Sequence, residues 1–103
     1  MGERENEEKY ISMLKSLVLD AFDDEPCSIF LFGSRARGSF RRSSDYDIGF
    51  KGISSSKALK KISTLDTIIE ESVIPHRVDW VFFDEADRSF QDIAEKDIVI
   101  WKT

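Results

Sequence analysis

The alternation of side chains from Asp45 to Phe50 is the feature that most constrains how this chain folds. Successive side chains of a β-strand point to opposite faces. The pattern therefore predicts a strand that buries Tyr46, Ile48 and Phe50 in a core. Its other face carries Asp45 and Asp47, whose Cα atoms are held about 7 Å apart by a rise of ~3.3 Å per residue.

The remaining segments have the periodicity of either helices or strands. They are a helix over Glu7–Phe22, a buried strand over Ser28–Phe32, a helix from the Ser54–Ser56 caps to Val73, a strand over Val78–Phe83, a short helix over Ala86–Glu95 and a last short strand over Ile98–Trp101. This order predicts an α/β (α+β) fold, in which helices pack on a small mixed β-sheet.

The length of 103 residues suits one domain, which we place at residues 9–103 after a flexible N-terminal tail at 1–8. No apolar run approaches the length of a membrane span, and the charged N-terminus does not resemble a signal peptide. Cys27 is the single cysteine, so neither an intrachain disulfide nor a cysteine metal cluster can form. We expect a cytoplasmic protein that does not engage membranes.

The net charge of −5 argues against direct nucleic-acid binding, which normally shows a basic surface. Charge is nevertheless uneven, because the segment Gly33–Ser44 contains four arginines and no acid. They are Arg35, Arg37, Arg41 and Arg42. A basic island in an acidic chain suggests a site for a small polyanion such as a triphosphate, although a solvated loop explains the same pattern.

Gly33 and Ser34 follow the predicted buried strand at the point where a turn or short helix begins. Glycine allows backbone amides to approach a phosphate closely, and a serine hydroxyl adds a donor. A Gly-Ser pair taken alone indicates only a turn.

Three carboxylates are candidates for a metal site. Asp45 and Asp47 share one strand face, and Asp79 lies inside the apolar run Val78–Phe83. Mg²⁺ prefers carboxylate and phosphate oxygens. A carboxylate buried in an apolar run is costly unless it binds metal or is paired, for example with Arg77.

Two motifs together resemble the signature of the DNA polymerase β-like nucleotidyltransferase superfamily. They are Phe32-Gly33-Ser34-Arg35-Ala36-Arg37-Gly38 and Ser44-Asp45-Tyr46-Asp47-Ile48-Gly49. Ten residues separate Ser34 from Asp45, which matches the spacing of the signature. The short chain and its element order are similar to the minimal nucleotidyltransferase (MNT) subgroup, over residues 9–101.

The resemblance implies roles for individual residues. Asp45 and Asp47 would bind two Mg²⁺ ions, and Asp79 would be the third catalytic and metal-binding carboxylate. Gly33 and Ser34 would hold the triphosphate of ATP, with Arg35 and Arg37 as further nucleotide contacts.

The resemblance also implies a role in the cell. MNT proteins resemble the antitoxins of toxin–antitoxin modules whose partners are helical HEPN-type toxins. The implied reaction moves AMP from ATP to a hydroxyl side chain, that of a tyrosine, on that partner (AMPylation). One alternative is a non-catalytic antitoxin that neutralises its partner by contact, and another is an aminoglycoside-type nucleotidyltransferase.

Overall fold

A computed structural model of the protein describes residues 3–38 and 45–103, with side chains from residue 6 onward. Its elements follow in the order α1 (Glu3–Ala21), β1 (Ser28–Phe32), α2 (Gly33–Arg37), β2 (Tyr46–Lys51), α3 (Ser55–Glu70), β3 (Val78–Phe82), a 3₁₀ turn (Phe83–Glu85), α4 (Arg88–Ala94) and β4 (Val99–Lys102). The predicted α/β (α+β) class is confirmed, because these elements form one small mixed sheet with helices packed on it.

The four strands lie in the order β3-β2-β1-β4. Strand β1 is antiparallel to both of its neighbours, whereas β2 and β3 are parallel and are joined through α3. The last residue of β1 and the first residues of β2 and β3 therefore meet at one end of the sheet. Helix α2 begins at that end, directly after β1.

Helices α1 and α3 cover one face of the sheet. The alternation predicted for β2 is confirmed, since Tyr46, Ile48 and Phe50 are fully buried in this core. They pack with residues of α1, β1 and α3, among them Leu14, Val18, Phe22, Ile29, Leu31, Leu65 and Ile69. The two helices thus hold β2 so that its other face carries the aspartates.

A smaller aromatic cluster lies on the opposite face of the sheet. The rings of Phe30 and Phe32 each form a T-shaped pair with the ring of Phe83, with centroid distances of 4.8 and 5.1 Å. A Cβ at Gly49 would overlap the ring of Phe30 and lie 2.8 Å from Cε1 of Phe83. A side chain at position 49 would therefore push the rings of Phe30 and Phe83 away from this face of the sheet.

Element boundaries differ from the sequence predictions at a few positions. Helix α1 begins at Glu3 rather than Glu7, so residues 3–8 of the predicted tail are helical. Ser54 caps α3 as predicted by accepting a hydrogen bond from the Lys57 amide at 3.2 Å. A 3₁₀ turn precedes α4 and delays its start to Arg88. None of the helices in the described ranges is both long enough and apolar enough to cross a lipid bilayer.

Candidate active site

Asp47 and Asp79 are directly opposite one another on two parallel strands. Register pairs Asp47 of β2 with Asp79 of β3, and neighbouring strands are about 4.8 Å apart. Asp45 precedes Asp47 by two residues, immediately before β2 begins. The fold thus brings together at one end of the sheet the three carboxylates that the sequence indicated.

The three aspartates differ in their exposure. Asp47 is half-buried, whereas Asp45 and Asp79 are exposed. Asp79 is therefore not buried among its apolar neighbours, contrary to the prediction from the sequence. Strand β3 is an edge strand of the sheet. Asp79 is its second residue and lies on the face opposite α3.

Burial raises the pKa of Asp47, and the charges of Asp79 and Asp45 raise it further. The guanidinium groups of Arg37 and then Arg35 act in the opposite direction. Burial and two neighbouring carboxylates both disfavour the ionised form of Asp47. Added positive charge at this position would relieve that repulsion.

These carboxylates suit a hard divalent cation by the chemistry of their donor atoms. Within the described residues, no three acidic, histidine or cysteine side chains stand close enough together to enclose an ion as they are. The two observations are compatible because Mg²⁺ usually takes only one or two protein carboxylates. Water and substrate phosphates complete its shell.

Gly33 lies against the carboxylate of Asp47. It has a φ of +76°, which L side chains rarely adopt. A Cβ at this position would overlap Oδ2 of Asp47 and lie 3.1 Å from its Cγ. Gly33 therefore allows the start of α2 to lie beside the aspartate, with half-buried Ser34 next to it.

The two arginines of α2 point to different surroundings. Arg37 is exposed and contributes to the electrostatics of Asp47. The side chain of Arg35 is 1% exposed, and its Nη1 lies 2.5 Å from Oε1 of Glu7. Nucleotide binding by Arg35 stays a prediction, but its guanidinium is directed to a partner inside the protein.

Glu7 and the contact of Arg35 with Tyr46 were not predicted from the sequence. The Arg35 Cζ atom lies 4.5 Å from the centre of the Tyr46 ring. Helical spacing contained a signal for Glu7, since residues 7, 14 and 18 fall on one face of a helix. Leu14 and Val18 are both fully buried, so an acid on their face needs a buried partner.

Other residues noted in the sequence are not among the three carboxylates or the residues of α2. Cys27 is buried, and burial raises the pKa of its thiol. Trp101 is 9% exposed and belongs to the main core. His76 is half-buried, with its ring 6.1 Å from that of Tyr46. Arg41 and Arg42 lie outside the described residues.

The mixed sheet and the acidic end of its β2–β3 pair define a nucleotidyltransferase-type domain. Residues 16–103 match the family described as "Polymerase beta, Nucleotidyltransferase", and the chain belongs to that family. No curated protein is similar enough in sequence to match the chain.

At least two solved structures share the fold. One is a chain of a toxin–antitoxin structure determined with AMP-PNP, with a TM-score of 0.63 and 18% identity over 84% of this chain and 71% of that one. The other is a Sulfolobus solfataricus protein provisionally assigned as a nucleotidyltransferase. It has a TM-score of 0.58 and 26% identity over 97% of this chain and 87% of that one.

Proposed function

We propose that this protein moves AMP from ATP to a hydroxyl group of a partner protein. The observation that carries the proposal is the register of Asp47 with Asp79 on parallel strands, with Asp45 two residues before Asp47. Family membership supports nucleotidyl transfer as the type of reaction. Gly33, which lies against the Asp47 carboxylate, supports a triphosphate site next to the acids.

In this proposal Asp45 and Asp47 hold two Mg²⁺ ions, together with Asp79. Bound Mg²⁺ supplies neutralisation of phosphate charge and makes the acceptor hydroxyl more acidic. The acceptor oxygen forms a bond to the α-phosphorus as the bond to the β-phosphate oxygen breaks, and pyrophosphate leaves. Asp79, which is exposed at the outer strand, receives the proton of the attacking hydroxyl.

Gly33 and Ser34 at the start of α2 hold the triphosphate. Arg37 is exposed near Asp47 and can form charge-assisted hydrogen bonds with phosphate oxygens. A bidentate arginine contact also fixes the direction of the phosphate chain. In our proposal these residues orient ATP, while the carboxylates act at the α-phosphate.

A protein acceptor is supported by the fold neighbour solved as a toxin–antitoxin structure with AMP-PNP. We propose that the chain is the antitoxin of such a pair and that the acceptor is a tyrosine of a helical HEPN-type toxin. A cytoplasmic location fits this role and stays a prediction. The open face of the sheet near Asp79 gives a bulky acceptor a route to the site.

The proposal is tested by incubating the purified protein with ATP labelled at the α-phosphate, Mg²⁺ and a lysate of its source. We expect a labelled protein band with the wild type. Asp47→Asn and Asp79→Asn should give none while remaining folded. Asp92→Asn, which removes an exposed acid of α4, is the matched control.

Chelation of metal by EDTA should abolish the label as well. Transfer by folded Asp47→Asn at the wild-type rate would contradict the roles given to the carboxylates. Label that appears on a small molecule and not on a protein would contradict a protein acceptor and would indicate a small-molecule acceptor.

A second candidate, a non-catalytic antitoxin, is favoured by apolar side chains exposed on α4 and β4. Phe90, Ile93 and Ile100 are 40%, 69% and 57% exposed. Large apolar groups on a surface often mark an interface with another protein. This candidate requires that the Asp45→Asn/Asp47→Asn/Asp79→Asn variant still neutralise the toxin in cells.

A further inference from the structure

We infer that Glu7, Arg35 and the ring of Tyr46 form a positioning unit that orients α2, and thereby the triphosphate of ATP, relative to the catalytic aspartates. The inference rests on the proposed function, since it assigns these residues to the same reaction. They contact neither metal nor the reacting atoms in this scheme, so they act through α2 and β2.

The unit is buried and its contacts are close. The side chains of Arg35 and Glu7 are 1% and 11% exposed, and Arg35 Nη1 lies 2.5 Å from Glu7 Oε1. The guanidinium of Arg35 also lies over the ring of Tyr46, with its Cζ atom 4.5 Å from the ring centre. Tyr46 is itself fully buried. Three elements, α1, α2 and β2, are therefore joined at one guanidinium.

Two of the three members, Arg35 and Tyr46, are next to residues of the site in sequence. Arg35 follows Ser34 in the five-residue helix α2, and Tyr46 stands between Asp45 and Asp47. Tyr46 faces the side of β2 that α1 and α3 cover, and Asp47 faces the opposite side. A shift of Arg35 relative to Tyr46 would thus move the start of α2 relative to Asp47.

The chemistry of the positioning unit favours a role in orienting α2 over a role in stability alone. Apolar residues in place of a buried ion pair often give equal or higher stability. A planar guanidinium has fixed donor directions and a flat face for stacking, which apolar packing does not provide.

The stability role of the pair can be separated from its positioning role by removing one charge or both. Glu7→Gln or Arg35→Gln alone disturbs a buried ion pair and should lower the free energy of unfolding. Glu7→Gln/Arg35→Gln removes both charges together and should recover much of that stability. The fixed direction of the guanidinium is absent from this double variant.

The experiment is calorimetric titration of each purified variant with ATP and Mg²⁺, without an acceptor, alongside unfolding in urea. The binding stoichiometry reports the folded fraction, and the Kd reports the site. We expect the double variant to unfold near the wild-type urea concentration yet to bind ATP·Mg²⁺ roughly 10- to 100-fold more weakly, the range expected when one hydrogen bond to a charged phosphate is lost.

Each result has a definite meaning. A wild-type Kd in the stable double variant would show a purely structural pair and would overturn the inference alone. No ATP·Mg²⁺ binding by the wild-type protein would overturn the proposed function and the inference with it. Asp92→Asn removes a charge from an exposed ion pair on α4 and should bind as the wild type does. Equal weakening in that control would also overturn the inference.

Discussion

At the scale of single residues, the ionised carboxylate of Asp47 lowers the stability of the folded protein. Burial, Asp79 and Asp45 all raise its pKa, and a carboxyl whose pKa is raised by folding destabilises the fold when it is ionised. Sites that bind cations commonly hold such unfavourable charge in the absence of the ion. The structure therefore predicts opposite effects of one substitution on stability and on activity.

Asp47→Asn should melt at a higher temperature than the wild type at pH 7 without metal, because it removes that charge and its repulsion. With Mg²⁺ and ATP the order should reverse, since only the wild type gains stability from binding. Differential scanning calorimetry with and without EDTA measures both. A metal-free variant that melts below the wild type would show that Asp47 is not under repulsion.

Gly33→Ala should reduce both stability and nucleotidyl transfer. Alanine at a φ of +76° costs about 1–2 kcal/mol in the backbone alone, and its Cβ would overlap Asp47. Gly38→Ala is the matched control, because Gly38 has a φ of +78° and nothing lies within 4 Å of an added Cβ.

Urea unfolding and the transfer assay compare the two variants. The backbone cost should be common to both, whereas loss of transfer should be confined to Gly33→Ala. Equal activity in the two variants would show that the proximity of Gly33 to Asp47 is not important for the site.

At the scale of elements, the start of α3 is held by the turn that follows β3. Glu85 accepts hydrogen bonds from the amide and the hydroxyl of Ser55 at 2.7 and 2.8 Å. Asp84 accepts one from the amide of Gly52 at 2.7 Å. Carboxylates near a helix N-terminus satisfy free amides and interact favourably with the helix dipole. Asp84 and Glu85, which follow β3, therefore hold the beginning of the connection between β2 and β3 through these hydrogen bonds.

Stability should depend on pH through Glu85. Its bonds to Ser55 lower its pKa, so its stabilising effect is present above the unfolded pKa of about 4.3 and is lost as pH falls through the lower folded value. Glu85→Gln should therefore melt below the wild type at pH 7, and the two should converge in acid.

Thermal melts from pH 2 to 7 test this, with Asp92→Asn as a control for loss of one exposed negative charge. A difference between Glu85→Gln and the wild type that does not change with pH would contradict an ionic contribution.

At the scale of the whole molecule, α1 connects the candidate site with the opposite end of the sheet. Nineteen helical residues span about 28 Å, close to the 29 Å middle dimension of the molecule. Glu7 near the start of α1 pairs with Arg35 at the site. At its other end, the carbonyl of Ala21 accepts a hydrogen bond from Lys61 of α3 at 2.9 Å.

Deletion of residues 1–8 should therefore destabilise the protein by up to about 3–5 kcal/mol, since it removes the Glu7 partner of a buried arginine. Adding Arg35→Gln to the deletion should recover part of the loss. Urea unfolding measures both changes. A truncated protein as stable as the full chain would show that these residues form the loose tail that the sequence predicted.

Local patterns alone were enough to predict most elements of this protein and the shared strand face of Asp45 and Asp47. The alternation in β2, the helical periodicity of α1 and α3, and the Ser54 cap all arise from backbone geometry over a few residues. For the same reason the sequence showed that Asp45 and Asp47 share a face, and the spacing from Ser34 to Asp45 indicated the family.

Only the tertiary structure decided which distant residues meet. The register of Asp79 with Asp47 depends on how α3 packs across the sheet, and the exposure of Asp79 depends on β3 being an outer strand. The burial of Arg35 against Glu7 depends on the start of α1 lying next to α2. These contacts join residues that are 28 or more positions apart along the chain, from Glu7 to Arg35 and from Asp47 to Asp79. Their geometry is set by packing of the whole core, which no local periodicity encodes.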